Sequence, residues 1–391
     1  MLNSQANSAV AGLTAAVLSL RPMIDRLEPP VRVPAPGGGR GVLRGLQDVV
    51  DRVCGRLGAP RLEVVRLSER DLGPFAAAAG RRLDLPGSVA ALAGVDRDDM
   101  PAVDRAVDAA VAQDFESFCE QRLVLAPDGS GVRAYAAGDP GAPVVVIAAA
   151  CGMPIRLAEA WIRRLAVSHR VLTWESRGLF CDCEDYAGGT GVAEQAADLI
   201  AVMDAFGAER AHVAGLCGGA VIALTAAAAQ PERISSLSLW HGDFEVGDET
   251  LKTDHQRNLQ ALMALATRAK VSAAGVHAVL CRSIAAATPP ELAHLVLYPY
   301  ANPGLLFRYC QLNGAIMEAD VRPELPAVRQ PTLVVTSLDD TTAHPDASRF
   351  VAAALPDARL HVLPHGDHIS LFQGAPELTG TLVRFMAEQP P

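Results

Sequence analysis

From residue 121 onward, short apolar runs alternate with longer stretches in which apolar residues recur at helical spacing. Residues 122–126 and 132–137 flank Pro127-Asp128-Gly129-Ser130-Gly131, a turn-rich pentapeptide that predicts a β-hairpin. The continuous apolar run 144–150 has the pattern of a strand buried on both faces. Further strands are predicted at 171–175, 211–216, 234–240, 332–337 and 359–363, with helical stretches between most of them. This alternation specifies an α/β fold, a mostly parallel sheet flanked by helices. The interval from 243 to about 326 is helical and punctuated by proline, and it separates two strands. It reads as an inserted helical lid.

Residues 1–120 have a different texture and read as a small helical N-terminal module. A short first helix is followed by Pro29-Pro30, Pro34, Pro36 and Gly37-Gly38-Gly39, a breaker-rich hinge. Val42, Leu46, Val49, Val50, Val53 and Leu57 then recur at helical spacing, and a further helix is expected over 101–120 behind Asp98 and Asp99. No chemical motif stands out in this part. Gly87-Ser88 lacks the Asp that precedes the modified Ser of a carrier domain. The module reads as a cap, a docking piece or a homodimerisation arm.

Composition narrows the function classes. Half of the 391 residues are hydrophobic and 20% are charged, as in a globular protein and unlike a disordered chain. The net charge is −10, and residues 1–124 carry 15 Arg against 16 acids, so nearly all of the negative charge falls in the remainder. No basic arm is available for phosphate contacts, which argues against a nucleic-acid partner. The apolar stretch 10–20 is too short to span a bilayer and has no basic leader, so no membrane partner and a cytoplasmic location are expected. Eight irregularly spaced cysteines fit free thiols in a reducing compartment.

The chemistry concentrates around one of those thiols. Gly215-Leu216-Cys217-Gly218-Gly219 follows a predicted strand and opens an Ala-rich helix, giving G-x-C-x-G in a strand, sharp turn, helix context. In such a nucleophile elbow the glycines permit a strained turn, and sulfur here stands where Ser is usual. A helix N-terminus favours the reactive thiolate. Downstream, a buried strand ends in Ser337-Leu338-Asp339-Asp340, and another is followed by Leu363-Pro364-His365-Gly366-Asp367-His368.

With nucleophile, acid and His in this order, residues 121 to 388, about two-thirds of the chain, resemble the α/β-hydrolase superfamily. The resemblance implies a triad of Cys217, Asp340 and His368. Asp340 matches the acid of the family's G-x-x-D turn, with Asp339 the fallback, and His368 matches the His of L-P-x-x-x-H. His365 then belongs to a surface loop. The backbone N–H groups of Ala150 and Gly218 would form the oxyanion hole, although Ala148-Ala149-Ala150-Cys151-Gly152 replaces the family's His-Gly. Cys151, Trp240, His241 and Asp243 would line the substrate pocket, and Tyr298, Tyr300, Phe307 and Tyr309 of the lid suit an apolar wall. The pair Glu175 and Arg177 matches a structural turn of the family. Cys181-Asp182-Cys183-Glu184-Asp185 lacks a second ligand pair, so no metal is expected, and no cofactor.

These residues imply a Cys-His-Asp acyl-transfer enzyme, whether hydrolase, thioesterase or acyltransferase. Its substrate would be a small ester or thioester, free or carrier-protein-bound, in bacterial secondary metabolism. At the triad it is similar to dienelactone hydrolases, polyhydroxyalkanoate synthases and some assembly-line thioesterases. The alternative is a lyase on the same fold, similar to the tetronate-pathway branch that eliminates acetate, with His368 as base. A silent binding protein is disfavoured because every triad position is filled.

Overall fold

The helix Ser4–Ile24 buries Val10, Leu13, Val17, Leu20 and Ile24 because these residues recur three and four apart along one face. Asn3 caps it, its side chain accepting from the Ala6 N–H at 2.8 Å. The apolar face packs on the helices Arg40–Leu57, Met100–Val111 and Ala293–Val296. These belong to the first of two compact units, Met1–Phe118 together with His277–Asn302. The computed structural model describes residues 2–35, 37, 39–181 and 186–389.

Two expectations for the first unit change. Residues 31–34, read as hinge, form strand β1 (Val31–Pro34), which pairs in parallel with β2 (Leu62–Val65). Four-residue strands are too short to show a period, and the neighbouring prolines masked this one; Pro36 and Gly38 of the same run lie outside the described residues. The expected helix 101–120 stops at Val111, and only the single turn Phe115–Phe118 follows before the next strand.

The second unit, Cys119–Val276 with Pro303–Pro391, is built on an eight-stranded sheet. Its strands are β3 (Glu120–Leu125), β4 (Gly131–Ala137), β5 (Val144–Ala148), β6 (Arg170–Trp174), β7 (Ala211–Leu216), β8 (Ile234–Trp240), β9 (Thr332–Ser337) and β10 (Ala358–Leu363). The order is β10-β9-β8-β7-β5-β6-β4-β3. The hairpin β3–β4 and the pair β4–β6 are antiparallel, and every other pairing is parallel. The α/β expectation therefore holds. Every residue of β7 and β9 is buried, the polar His212, Thr332, Thr336 and Ser337 included, as in strands covered on both faces by helices.

The interval 243–326, expected as one inserted lid, divides between the two units. The helices Asp254–Ala266 and Pro303–Glu318 pack on each other within the second unit, where the Gln260 Nε2 donates to the Met317 carbonyl at 2.9 Å. His277–Asn302 instead belongs to the first unit: the Asn302 side chain donates to the Arg26 carbonyl at 3.3 Å, and Ser19 Oγ meets His294 Nε2 at 2.6 Å. No helix among the described residues is long and apolar enough to cross a membrane.

Candidate active site

At the end of β7 the chain turns so sharply that Cys217 adopts φ 56, a left-handed conformation costly for a residue with a Cβ. The turn survives because hydrogen bonds fix it on both sides. The Cys217 N–H donates to the Trp240 carbonyl at 2.9 Å, and the Cys217 carbonyl accepts from Ala220 N–H at 3.0 Å at the start of the helix Gly219–Ala229. Two glycines make room. A Cβ on Gly215 would fall 2.5 Å from Ala220 Cα, and one on Gly219 would fall 2.0 Å from the Ala148 carbonyl oxygen. Gly218 is under no such pressure, since its nearest neighbour, Ile316 Cγ2, stands at 3.4 Å.

Cys217 is partly exposed. Five of the other described thiols, Cys54, Cys119, Cys151, Cys281 and Cys310, are buried. Burial pushes Cys54 and Cys281 up to about 11 and Cys151 and Cys310 up to about 12, so these four stay protonated at neutral pH. Cys151 is 3% exposed, donates towards Gln195 Oε1 at 3.6 Å and feels the charge of Cys217.

Asp340 is the acid that the turn after β9 buries. Its Oδ1 accepts from the backbone N–H groups of Thr342 and Ala343, both at 2.9 Å, and its Oδ2 from His368 Nδ1 at 2.9 Å and His241 Nδ1 at 2.8 Å. Burial raises the carboxyl pKa, but hydrogen bonds from the two imidazoles outweigh it and hold the group well below the usual carboxylate range. Asp339 points outward instead, facing the exposed His365 at 3.4 Å. His368 is 4% exposed and its Nε2 is buried without a hydrogen-bond partner. Burial opposes its protonation, yet charge on Cys217, together with the bond to Asp340, carries its pKa well above the ordinary histidine value.

The four expected pocket residues separate. Trp240 is fully buried, its ring edge-to-face on Trp161 with centroids 4.9 Å apart, and its carbonyl accepts from the elbow. Cys151 is likewise buried. Asp243 is half-buried, accepts from Gln256 Nε2 at 2.5 Å, and is held above the usual carboxylate range by burial and the charge of Asp340, against the opposing Gln256 bond and His368. His241 is 1% exposed and reaches Asp340. Of the lid aromatics, Tyr298 and Tyr300 lie buried in the first unit, whereas Tyr309 closes on Gly152, whose added Cβ would fall 2.4 Å from its ring. Asp182, Cys183, Glu184 and Asp185 of the C-x-C run lie outside the described residues. Ligating atoms of His241, Asp340 and His368 lie within 4.8 Å of one another, but both Nδ1 atoms are already engaged with Oδ2.

No family model matches the chain. It is 30% identical over 210 residues to an Azorhizobium caulinodans protein described as "Putative carbamate hydrolase RutD", covering 53% of this chain and 77% of that one. A Variovorax paradoxus protein of the same description is 28% identical over 226 residues, 57% and 83% of the two chains. Among solved structures, a hydrolase from Pseudomonas aeruginosa PA01 superposes with TM-score 0.53 at 23% identity, over 68% of this chain and 98% of its own. The enol-lactonase from Burkholderia xenovorans LB400 gives 0.51 at 24%, over 69% and 100%. The chain belongs to the α/β-hydrolase superfamily.

Within this hydrolase the sequence did not reveal His255, on the helix Asp254–Ala266. It is half-buried, with a pKa lowered by burial and by the nearby charge of His368. Gln256 on the same helix ties Asp243 to the loop before Pro345 by accepting from the His344 N–H at 3.2 Å. A helix in an insertion carries no local signal for the strand ends it will cover. The turn after β6 has the structural role expected of it: Arg177, 1% exposed, grips Asp198 through two bonds of 2.6 and 2.7 Å and Asp128 at 2.7 Å.

Proposed function

We propose that this hydrolase works by covalent acyl transfer, with Cys217 as nucleophile, His368 as general base and acid, and Asp340 holding the imidazole. The observation that carries the reading is geometric: a strained, partly exposed Cys217 just before a helix, and a buried His368 whose Nδ1 is anchored on a four-donor carboxylate while its Nε2 is left without a partner. His368 takes the thiol proton, and the sulfur adds to a carbonyl carbon. The tetrahedral oxyanion is held by the backbone N–H groups of Gly218 and Ala150, the latter from a loop pressed against Gly219. Collapse expels the leaving group with the His368 proton, and water or another acceptor, deprotonated by His368, then releases the acyl group.

An ester, a thioester and a carbamate all present the carbonyl that this sequence of steps needs. The description of the relatives as carbamate hydrolases supports including the last. Asp243, kept near Gln256 beside the imidazole, suits a substrate with a hydrogen-bond donor next to its carbonyl.

The test uses 4-nitrophenyl acetate and the corresponding carbamate with intact-protein mass spectrometry. An acyl adduct that maps to Cys217 and decays with acceptor is expected, with turnover abolished in Cys217→Ala. Substantial turnover by Cys217→Ala with loss in His368→Ala would remove the covalent reading and leave His368 as the base of an elimination.

A further inference from the structure

One carboxylate oxygen holding two imidazoles is more than a triad requires. Strand β8 pairs with β9 in the register Trp240↔Val335, and the next N–H, that of His241, donates to the Val335 carbonyl at 2.8 Å. This register and a left-handed φ of 48 at His241 bring its side chain beside the Asp340 turn. His241 and His368 then approach the same Oδ2 at 2.8 and 2.9 Å, their rings 5.8 Å apart at 81°. A carboxylate has no proton to give, so each imidazole carries its own on Nδ1. With Thr342 and Ala343 on Oδ1, all of the carboxylate's capacity is spent.

We infer that His241 is a positioning residue: it shares Asp340 with His368, fixes the carboxylate, and limits how strongly that carboxylate stabilises the His368 imidazolium. The inference deepens the acyl-transfer reading and rests on it for its consequence in catalysis. An acid whose charge is divided among four donors supports an imidazolium less than one with three. Removing the His241 bond frees Oδ2 for His368 alone, so His368 should hold its proton to higher pH. The groups that face His368 are Cys217 from the elbow, Asp340 after β9, His241 and Asp243 after β8, and His255 from the helix Asp254–Ala266. Of these, the inference concerns only the path through Asp340.

The readout is the rate of Cys217 alkylation by iodoacetamide against pH, resolved from the other thiols by peptide mapping; it needs neither substrate nor turnover. A thiol paired with imidazole reacts in two steps, the upper one marking loss of the imidazolium proton. His241→Phe keeps a ring but deletes the donor, and the upper step should rise by ~0.5–1 pH unit. His241→Asn keeps an N–H near the same place and suits a left-handed φ, so its profile should stay with that of the unaltered protein. An unmoved upper step in folded His241→Phe overturns the inference, as does a shift in His241→Asn equal to that in His241→Phe. If His241→Phe does not fold, 15N-histidine spectra of the unaltered protein decide: a proton on His241 Nδ1 is expected, and an Nε2 tautomer overturns it. Failure of the acyl-adduct experiment with a shifted upper step would remove the covalent mechanism and leave the shared carboxylate standing.

Discussion

The two compact units use polar side chains in opposite ways. Among the described residues, the buried polar side chains of the first unit are Thr14, Thr288 and His294. The two threonines bond carbonyls one turn back in their own helices, at 2.8 and 2.7 Å, and His294 meets Ser19. Ion pairs such as Arg52–Asp104 and Arg56–Asp108 sit outside. The second unit buries charge: Arg177 with Asp198, and Asp340 with two histidines. Taking a charge from water costs several kcal/mol unless donors replace the solvent. Such groups are kept where they orient something, and here they lie at the C-terminal ends of β6, β8 and β9, the edge where an α/β sheet presents its chemistry.

This contrast is most directly challenged at Asp340. Asp340→Asn should lower turnover by about four orders of magnitude, because the imidazole loses the partner that fixes its proton and supports its charge. Asp339→Asn, which alters only an outward pair with His365, should be nearly silent. Steady-state rates on one activated ester decide, and equal losses would show that the buried carboxylate has no special position. The same substitution has a signature in acid. A carboxyl whose folded pKa is depressed contributes stability that is complete above its unfolded value near ~4 and is lost as pH falls through the folded one. Urea unfolding between pH 5 and 2 should therefore lose part of its pH dependence in Asp340→Asn.

A smaller but still large effect is expected at Arg177. Arg177→Leu leaves Asp198 buried without its guanidinium and should cost ~3–5 kcal/mol in urea unfolding. A loss below ~1 kcal/mol would mean that water replaces the cation and that the site is not closed. The smallest effect belongs to the first unit, where Arg52→Ala removes an exposed pair and should leave the urea midpoint unchanged within error. A clear drop there would break the comparison, since it would give a surface pair the weight of a buried one.

How far these features can be read from the sequence depends on how local their causes are. Strands β7, β8 and β9 coincide with the predicted 211–216, 234–240 and 332–337, since short runs of β-prone residues bounded on both sides by Gly, Pro or Asp allow few other conformations. The elbow is equally local: Gly215 and Gly219 are demanded by backbone only a few residues away or by the adjacent strand. In the first unit β1 and β2 escaped, because two four-residue strands gain their stability from pairing across a helix and not from their own pattern.

The order of residues thus determined the sheet, the turn that exposes Cys217, and the chain order of acid and histidine, all of which rest on short-range sterics and on apolar runs. Only the folded chain decided that Asp340 and not Asp339 is buried, that Trp240 packs on Trp161, and that His241 turns onto the acid. Each of these depends on which strands lie side by side and in what register. The pairing Trp240↔Val335 joins residues 95 positions apart in the chain, and at that separation the contact is set by the burial of the whole sheet, which no local pattern encodes.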